Sequence, residues 1–223
     1  DFSTFDAMCL SVGGYGIILG CQIEGIADAM AQKARDAGLP IIGTYVFLKD
    51  PGQPNIAVGV IRGIAISQRY GIKRLWLDCE ASGITAAEIA AARRQVEAAG
   101  LLTGIYTGTF VWPSYGTGTT HSDLPLWHAA YGANNPANPR LPITEVNYGG
   151  WTRPDIHQYS STIVACGRGR DHNYLYEWAQ DAQEGFSVED KELLYRIAAA
   201  VTGAPAVEGG VQGDVALALD AWN

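Results

Sequence analysis

Two carboxylic acids stand two positions apart at the end of a predicted buried strand. The apolar residues 75–77 are followed by Asp78, Cys79 and Glu80. Residues i and i+2 of a strand share a face, so Asp78 and Glu80 lie on one side, with Cα atoms about 6.5–7 Å apart, and Cys79 lies on the other. In a partly apolar cleft their pKa values should be pushed apart, which gives one proton donor and one anion. Glycoside hydrolysis uses such a pair, although these acids could instead only satisfy amides at the start of the following helix.

Aromatic residues are predicted near the same end of the sheet. Tyr45, Tyr106, Trp127 and Tyr131 fall on or just after the ends of predicted strands, where an aromatic ring can stack on a sugar. Each of them could instead pack in the core or at the rim. Asp171, which precedes the last predicted strand, would bring another carboxylate to this edge, or it is a turn residue.

The segments that must position these residues alternate between helix and strand. Gly38, Gly71 and Gly100 each end an amphipathic segment and precede an apolar run, at the spacing of about 30 residues that one βα unit takes. Thr85 and Glu88 have the spacing of a capping box at the start of the third helix. The first half of the chain is therefore predicted to be a series of βα units.

Eight strands are predicted, with helices between the early ones and loops rich in Gly, Pro, Asn and Thr between the late ones. This asymmetry indicates an α/β fold, an irregular β/α barrel with helices mainly around its first five strands, and the alternative is an open doubly wound sheet. In either fold, ligands bind at the carboxyl ends of the strands. The predicted strands are Asp1–Phe5, Tyr15–Gly20, Ile41–Phe47, Arg74–Cys79, Leu102–Thr107, Leu124–Ala130, Asp155–Ser160 and His172–Tyr176.

A second region is predicted after the barrel. The barrel domain covers residues 1–184, and residues 185–223 are expected to form a helical C-terminal appendage. One helix should begin at Ser187 and end near Gly203, and the segment 215–222 is predicted to be helical again. A lone amphipathic helix of this length needs a packing partner, so the appendage either caps the barrel or docks onto something else.

The composition argues against several classes of function. The 23 acidic residues against 15 Lys and Arg give a net charge of −8, which disfavours nucleic acid as a partner, because phosphate binding depends on Lys and Arg. No apolar segment approaches the about 20 residues that a membrane-spanning helix needs, and no signal peptide is visible. The four cysteines and four histidines lack the spacing of zinc ligands, so neither a metal nor a cofactor is expected. The cysteines are expected to be buried free thiols, with a disulfide as the alternative.

Five motifs occur in order along the chain, namely the strand end at residues 78–80 and the segments 104–107, 126–131, 157–160 and 170–173. Each motif is weak by itself, but together they resemble the glycoside hydrolase family 25 lysozymes, the N-acetylmuramidases of phage endolysins and bacterial autolysins. The resemblance covers roughly residues 1–178. The family begins its first strand with Asp, an apolar residue and Ser, which residues 1–3 match, and it usually has Trp where this chain has His157.

The resemblance implies an irregular β/α barrel that cleaves the β-1,4 bond between N-acetylmuramic acid and N-acetylglucosamine in bacterial peptidoglycan. It implies four cleft acids, of which Glu80 is the general acid and Asp78 is the nucleophile or the anion that orients the acetamido group of the substrate. The other two cleft acids are Asp1 and Asp171. The expected substrate-binding residues are Tyr45, Tyr106, Trp127, Tyr131 and Gln158.

Two other functions stay open at this point. One is a non-catalytic carbohydrate-binding or structural barrel of a phage particle, and the other is a chitinase-like hydrolase with the same acid pair. The expected source is a phage lysin or virion-associated enzyme that is made in the host cytoplasm and acts on the cell wall, in preference to a secreted autolysin. In that setting, residues 186–223 would mediate homo-oligomerisation or docking onto the phage particle.

Overall fold

The computed structural model describes residues 16–36, 38–49, 55–131, 146–165, 168–176 and 216–219. These residues form a mixed α/β fold around a single sheet, in which the strands are adjacent in the order of the sequence. A doubly wound sheet would reverse its strand order at a switch point, so the sequential order supports the barrel-like prediction over the alternative. The strands are β1 (Ile17–Gly20), β2 (Ile41–Phe47), β3 (Arg74–Asp78), β4 (Leu102–Thr107), β5 (Leu126–Ala129), β6 (Ile156–Ala165), β7 (Arg168–Leu175) and β8 (Ala216–Leu219).

Seven of the predicted strands are found, and the eighth strand of the sheet is not the predicted one. The predicted first strand, Asp1–Phe5, lies outside the described residues. Ala216–Leu219 pairs antiparallel with β7, so the helix predicted over residues 215–222 is wrong there. Its Ala-Leu-Ala-Leu sequence suits a helix by propensity, but it also alternates with the period of a strand, and pairing with β7 supplies its backbone hydrogen bonds. The rest of the predicted appendage lies outside the described residues.

The strands β1 to β6 are parallel, whereas β7 runs antiparallel to β6. Only residues 166 and 167 separate β6 from β7, too few for the crossover connection that parallel strands require. Both strands are longer than predicted, and Asp171 lies within β7 rather than in a turn before it.

Three helices follow the first three strands and pack on one side of the sheet. They are α1 (Glu24–Asp36), α2 (Ile56–Tyr70) and α3 (Ala86–Ala98). The predicted capping box is present at the start of α3, where the side chains of Thr85 and Glu88 each accept a hydrogen bond from the backbone N–H of the other. Gly71 ends α2 in the left-handed conformation, with φ of 70°. The helices before and after β3 therefore end and begin at the predicted residues.

The sheet is curled, and its two faces carry separate apolar clusters. The concave cluster includes Ile18 of β1 and Leu175 of β7, so side chains from distant strands meet inside the curve. Trp76, Tyr106 and Trp127 lie in this inner cluster. The helix-side cluster contains Leu75, Leu77 and Cys79, with Val60, Ile66, Ile89 and Val96 of the helices. Cys79 faces the helices, as the alternation of the strand predicts.

Candidate active site

The carboxyl ends of β3, β4 and β5 bring the predicted site residues to one level of the sheet. Asp78 is in register with Tyr106, and Tyr106 is in register with Trp127. These three residues lie on the concave side, because Tyr106 and Trp127 belong to the inner cluster and Asp78 alternates with the helix-facing Leu77 and Cys79. The register of the parallel strands thus gathers residues that are far apart in the sequence.

The two acids of the strand end differ in burial. Asp78 is 7% exposed, whereas Glu80, just past the end of β3, is partly exposed. Burial raises the pKa of Asp78 well above its ordinary value, and the charges of Glu80 and Asp171 raise it further. Burial also raises the pKa of Glu80, and the nearby Tyr106 hydroxyl opposes part of that shift. The pKa of both acids is therefore raised, and the expectation that Glu80 carries the proton while Asp78 is ionised stays a prediction.

Asp171 contributes to the same site from the opposite side of the curled sheet. It is partly exposed on β7, and its charge raises the pKa of Asp78, of Tyr45 and of Tyr131. Its closeness to these three residues agrees with the predicted cluster of cleft acids. Asp1, the fourth predicted acid, lies outside the described residues.

A hydrogen-bonded group of two tyrosines and a glutamine lies beside the acids. The Tyr106 hydroxyl donates to Oε1 of Gln158, and its oxygen is 3.1 Å from the Tyr131 hydroxyl. Tyr131 is also within 3.4 Å of Oε1 of Gln158. Burial and the charges of the two acids raise the pKa of Tyr106 well above its ordinary value, so its hydroxyl stays protonated. The three predicted binding residues therefore form one neutral, polar wall.

Aromatic rings form the floor of the site. The Trp127 ring contacts Tyr106, Trp76 and Tyr45, with ring centroids 4.6, 5.8 and 6.1 Å away. Trp127 and Tyr106 are buried, whereas Tyr45 and Tyr131 are partly exposed. Of the four predicted aromatic residues, Tyr45 and Tyr131 are thus the ones whose surfaces a ligand can reach directly.

Sequence reasoning missed two buried members of this floor, Trp76 and Asn173. Trp76 precedes Asp78 by two positions, so the same alternation that paired the acids could have placed its ring below them. Oδ1 of Asn173 accepts a hydrogen bond of 2.7 Å from Nε1 of Trp127. Asn173 stands in the motif at residues 170–173, but its contact with Trp127 depends on the antiparallel pairing of β6 with β7.

Some buried polar atoms of the floor lack a partner among the described residues. They are Oδ1 of Asp78, Nε1 of Trp76 and Nδ2 of Asn173. Buried donors and acceptors are nearly always satisfied in folded proteins, so unsatisfied ones close together fit a site that receives a polar ligand. The described residues contain no cluster of three or more His, Cys, Asp or Glu side chains that could hold a metal ion.

His157 does not line this cleft. It alternates with the inward-facing Gln158, and its ring stacks on His128 with centroids 6.2 Å apart. Its Nε2 lies 3.1 Å from the carbonyl oxygen of Ala130. The family difference at this position therefore alters packing on the outer face of β6 rather than the cleft.

Cys21 and Cys79 are buried free thiols, as expected, and Cys9 and Cys166 lie outside the described residues. None of the helices in the described part of the chain is long and apolar enough to span a membrane.

Comparisons with known proteins agree with this arrangement. The sequence profile of the glycosyl hydrolases family 25 matches residues 21–168. Probable GH family 25 lysozyme 2 of Dictyostelium discoideum is 30% identical over 186 residues, which is 74% of this chain and 82% of that protein. Lysozyme-like protein 5 of Caenorhabditis elegans is 27% identical over 195 residues, 78% of this chain and 86% of that protein. A solved structure of GHIP, a glycosyl hydrolase 25 of Streptococcus pneumoniae, shares the fold with a TM-score of 0.59 at 18% identity, covering 78% of this chain and 81% of that one. The chain therefore belongs to the glycosyl hydrolases of family 25 and is a glycoside hydrolase.

Proposed function

We propose that this glycoside hydrolase cleaves the β-1,4 bond between N-acetylmuramic acid and N-acetylglucosamine in bacterial peptidoglycan. The observation that carries the proposal is the placement of Asp78 and Glu80 at the carboxyl end of β3, beside Asp171 and above an aromatic floor. Hydrolysis of a glycosidic bond needs a proton donor and an anion on either side of the reacting carbon, and this cleft supplies both. The relatives named as lysozymes support peptidoglycan as the substrate.

In the proposed mechanism Glu80 donates its proton to the leaving glycosidic oxygen. Glu80 is the more exposed of the two acids, so it can reach an oxygen of a bound glycan strand. Burial raises its pKa, which keeps it protonated at a higher pH than an ordinary glutamate. Because Asp78 and Glu80 lie close together, they titrate as a coupled pair, and ionising both at once is unfavourable.

Asp78 is the proposed anion of the transition state. The positive charge that develops on the sugar ring favours ionised Asp78, so we place the proton of the pair on Glu80 once the substrate is bound. Asp78 then either attacks the anomeric carbon or orients the acetamido group of the substrate for that attack. The anomeric configuration of the first product, measured by NMR, separates both of these retaining routes from inversion. A covalent glycosyl-enzyme in the mass spectrum would single out direct attack by Asp78.

Clearing of a suspension of Gram-positive cell walls tests the proposal. The wild-type protein should lower the turbidity, and Glu80→Gln should reduce the rate by ~10²-fold or more, because it removes the general acid. Glu97→Gln is the matched control, since Glu97 lies on α3 and pairs with Arg93 on the outside of the fold. A wild-type rate in Glu80→Gln would refute the role of Glu80.

The substrate is tested separately from the residue roles. Digestion of chitin without release of muropeptides from peptidoglycan would replace the proposed substrate. Retention on cell walls without clearing would favour a carbohydrate-binding barrel instead of an enzyme. A phage origin and docking through residues 186–223 remain predictions, and the reading frame upstream of Asp1 and the oligomeric state in solution test them.

A further inference from the structure

An exposed aromatic ring lies on the loop that follows β4, at the carboxyl edge of the sheet. Phe110 is 64% exposed. A Cβ atom added to Gly108 would lie 2.3 Å from Cε1 of Phe110 and 3.0 Å from the carbonyl oxygen of Ala129. The ring therefore rests on the backbone at the end of β4, close to the end of β5. These are the strands that carry Tyr106 and Trp127.

Gly108 gives this ring room to lie close to the backbone. Any side chain at position 108 would displace it, so the absent Cβ lets the ring lie directly on the chain. An exposed phenylalanine offers a large apolar face to a ligand and has few side-chain torsions to order on binding. Tyr131, two residues after β5, supplies the next partly exposed aromatic ring along the same rim.

We propose that Phe110 is a stacking platform for a sugar ring of the glycan strand, outside the subsites that border Glu80. The inference rests on the proposed function, because it extends the same cleft along the same polysaccharide. The apolar face of a pyranose ring would cover the exposed face of Phe110, while Tyr131 and Gln158 hydrogen-bond to the sugar nearer the acids.

Binding without turnover tests the platform. In a Glu80→Gln background, Phe110→Ala should weaken retention on insoluble peptidoglycan by about 3–10-fold, the range expected for one aromatic contact. Phe110→Tyr should bind like the parent. Ile61→Ala is the control, since Ile61 is similarly exposed, at 58%, but lies on α2.

The outcomes separate the platform from the proposed function. Unchanged binding of Phe110→Ala, with the Glu80→Gln parent bound, would refute the platform alone. If the parent binds neither peptidoglycan nor its soluble glycan fragments, both proposals fail. An equal loss in Ile61→Ala would show a general surface effect and would also overturn the platform.

A second inference concerns the backbone on both sides of Glu80. The hydroxyl of Tyr115 lies 3.1 Å from the carbonyl oxygen of Cys79 and 3.1 Å from that of Ala81. Oγ1 of Thr107 donates a further hydrogen bond of 2.8 Å to the Cys79 carbonyl. The carbonyls before and after Glu80 therefore share one donor, which belongs to a side chain only 4% exposed.

This contact joins a short 3₁₀ helix, Trp112–Tyr115, to the strand end that bears the general acid. Burial raises the pKa of Tyr115, and the nearby Cys79, Asp78 and Glu80 contribute to the rise, so the hydroxyl stays a donor. Glu80 lies beyond the last residue of β3, so the strand ladder does not fix its backbone. The geometry points to Tyr115 as a positioning residue that holds Glu80 at the angle needed for proton transfer, which again rests on the proposed function.

Kinetics on soluble muropeptide oligomers test this role. Tyr115→Phe keeps the ring and removes the hydroxyl, and it should lower kcat by about 10-fold with KM changed less than twofold, because only transition-state geometry is lost. The pH at which kcat declines on the alkaline side should also shift. Tyr70→Phe is the control, since the Tyr70 hydroxyl contacts Asp28 on the helix side.

A double-mutant cycle decides whether Tyr115 acts through Glu80. In the Glu80→Gln background the Tyr115→Phe change should cost little more, because the group it positions no longer donates a proton. The same 10-fold loss in that background, or a lower melting temperature with unchanged kcat and pH profile, would refute the positioning role. Thr107→Val, which removes the second donor to the Cys79 carbonyl, gives an independent variant if Tyr115→Phe does not fold. A wild-type rate in Glu80→Gln itself would refute the proposed function instead.

Discussion

Substituting Gly104 by alanine tests the packing beneath the two acids. Gly104 is opposite Trp76 in the sheet, and a Cβ atom there would lie 2.3, 2.5 and 2.8 Å from three carbons of the Trp76 ring. Contacts this short force the ring to shift. The ring lies between Gly104 of β4 and Gly43 of β2, where an added Cβ would likewise be only 3.0 Å from Nε1 of Trp76.

The expected cost follows from overpacking a filled interior. Such changes destabilise a protein by about 1–3 kcal/mol, and the lower entropy of the unfolded alanine chain returns roughly 0.4–1 kcal/mol. We expect Gly104→Ala to lose about 1–2 kcal/mol, a fall in Tm of roughly 2–8 °C for a chain of this size. Because Trp76 contacts Trp127 and precedes Asp78 by two positions, the rate of wall clearing should fall as well.

Calorimetry of Gly104→Ala beside Gly25→Ala checks this reasoning. Gly25 lies in α1, and nothing is within 4 Å of its Cβ position, so alanine there should be neutral or stabilising by up to about 1 kcal/mol. If Gly104→Ala melts at or above the temperature of Gly25→Ala with full activity, the Trp76 ring is not confined as described.

Three further predictions concern pH and capping. Burial, with a contribution from the charge of His157, lowers the pKa of His128 to about 4, whereas its pKa in the unfolded chain is near 6.5. Between these pH values the unfolded state binds more protons than the folded state. The free energy of unfolding should therefore decline as the pH falls from about 6.5 to about 4. Chemical denaturation from pH 7 to 4 should show a smaller decline in His128→Gln, and an identical slope would contradict the assignment. Thr85→Ala should lose about 1 kcal/mol by removing the capping box with Glu88, whereas Thr85→Ser should not, as urea unfolding can show. The alkaline limb of the pH–rate profile should lie above the ordinary pKa of a glutamate, because burial raises the pKa of Glu80 and the general acid is active only when protonated; a limb at or below that value would contradict its role.

Local sequence patterns determined much of the fold and the core of the candidate site. Strand alternation placed Asp78 and Glu80 on one face and Cys79 on the other, because the period of two is a property of the extended backbone itself. The capping box at Thr85 and the glycine end of α2 follow from equally local chemistry. These features need no knowledge of distant contacts.

The tertiary structure decided what depends on distant neighbours. The burial that raises the pKa of Asp78 comes from several strands and from the curl of the sheet. The pairing of Asn173 with Trp127 depends on β7 running antiparallel to β6, and the strand at Ala216–Leu219 depends on the edge that β7 offers. His157 faces away from the cleft because the register of β6 places the next residue, Gln158, on the inner side of the sheet. A sequence specifies which residues alternate, but only the assembled sheet determines which side of each strand becomes the inside.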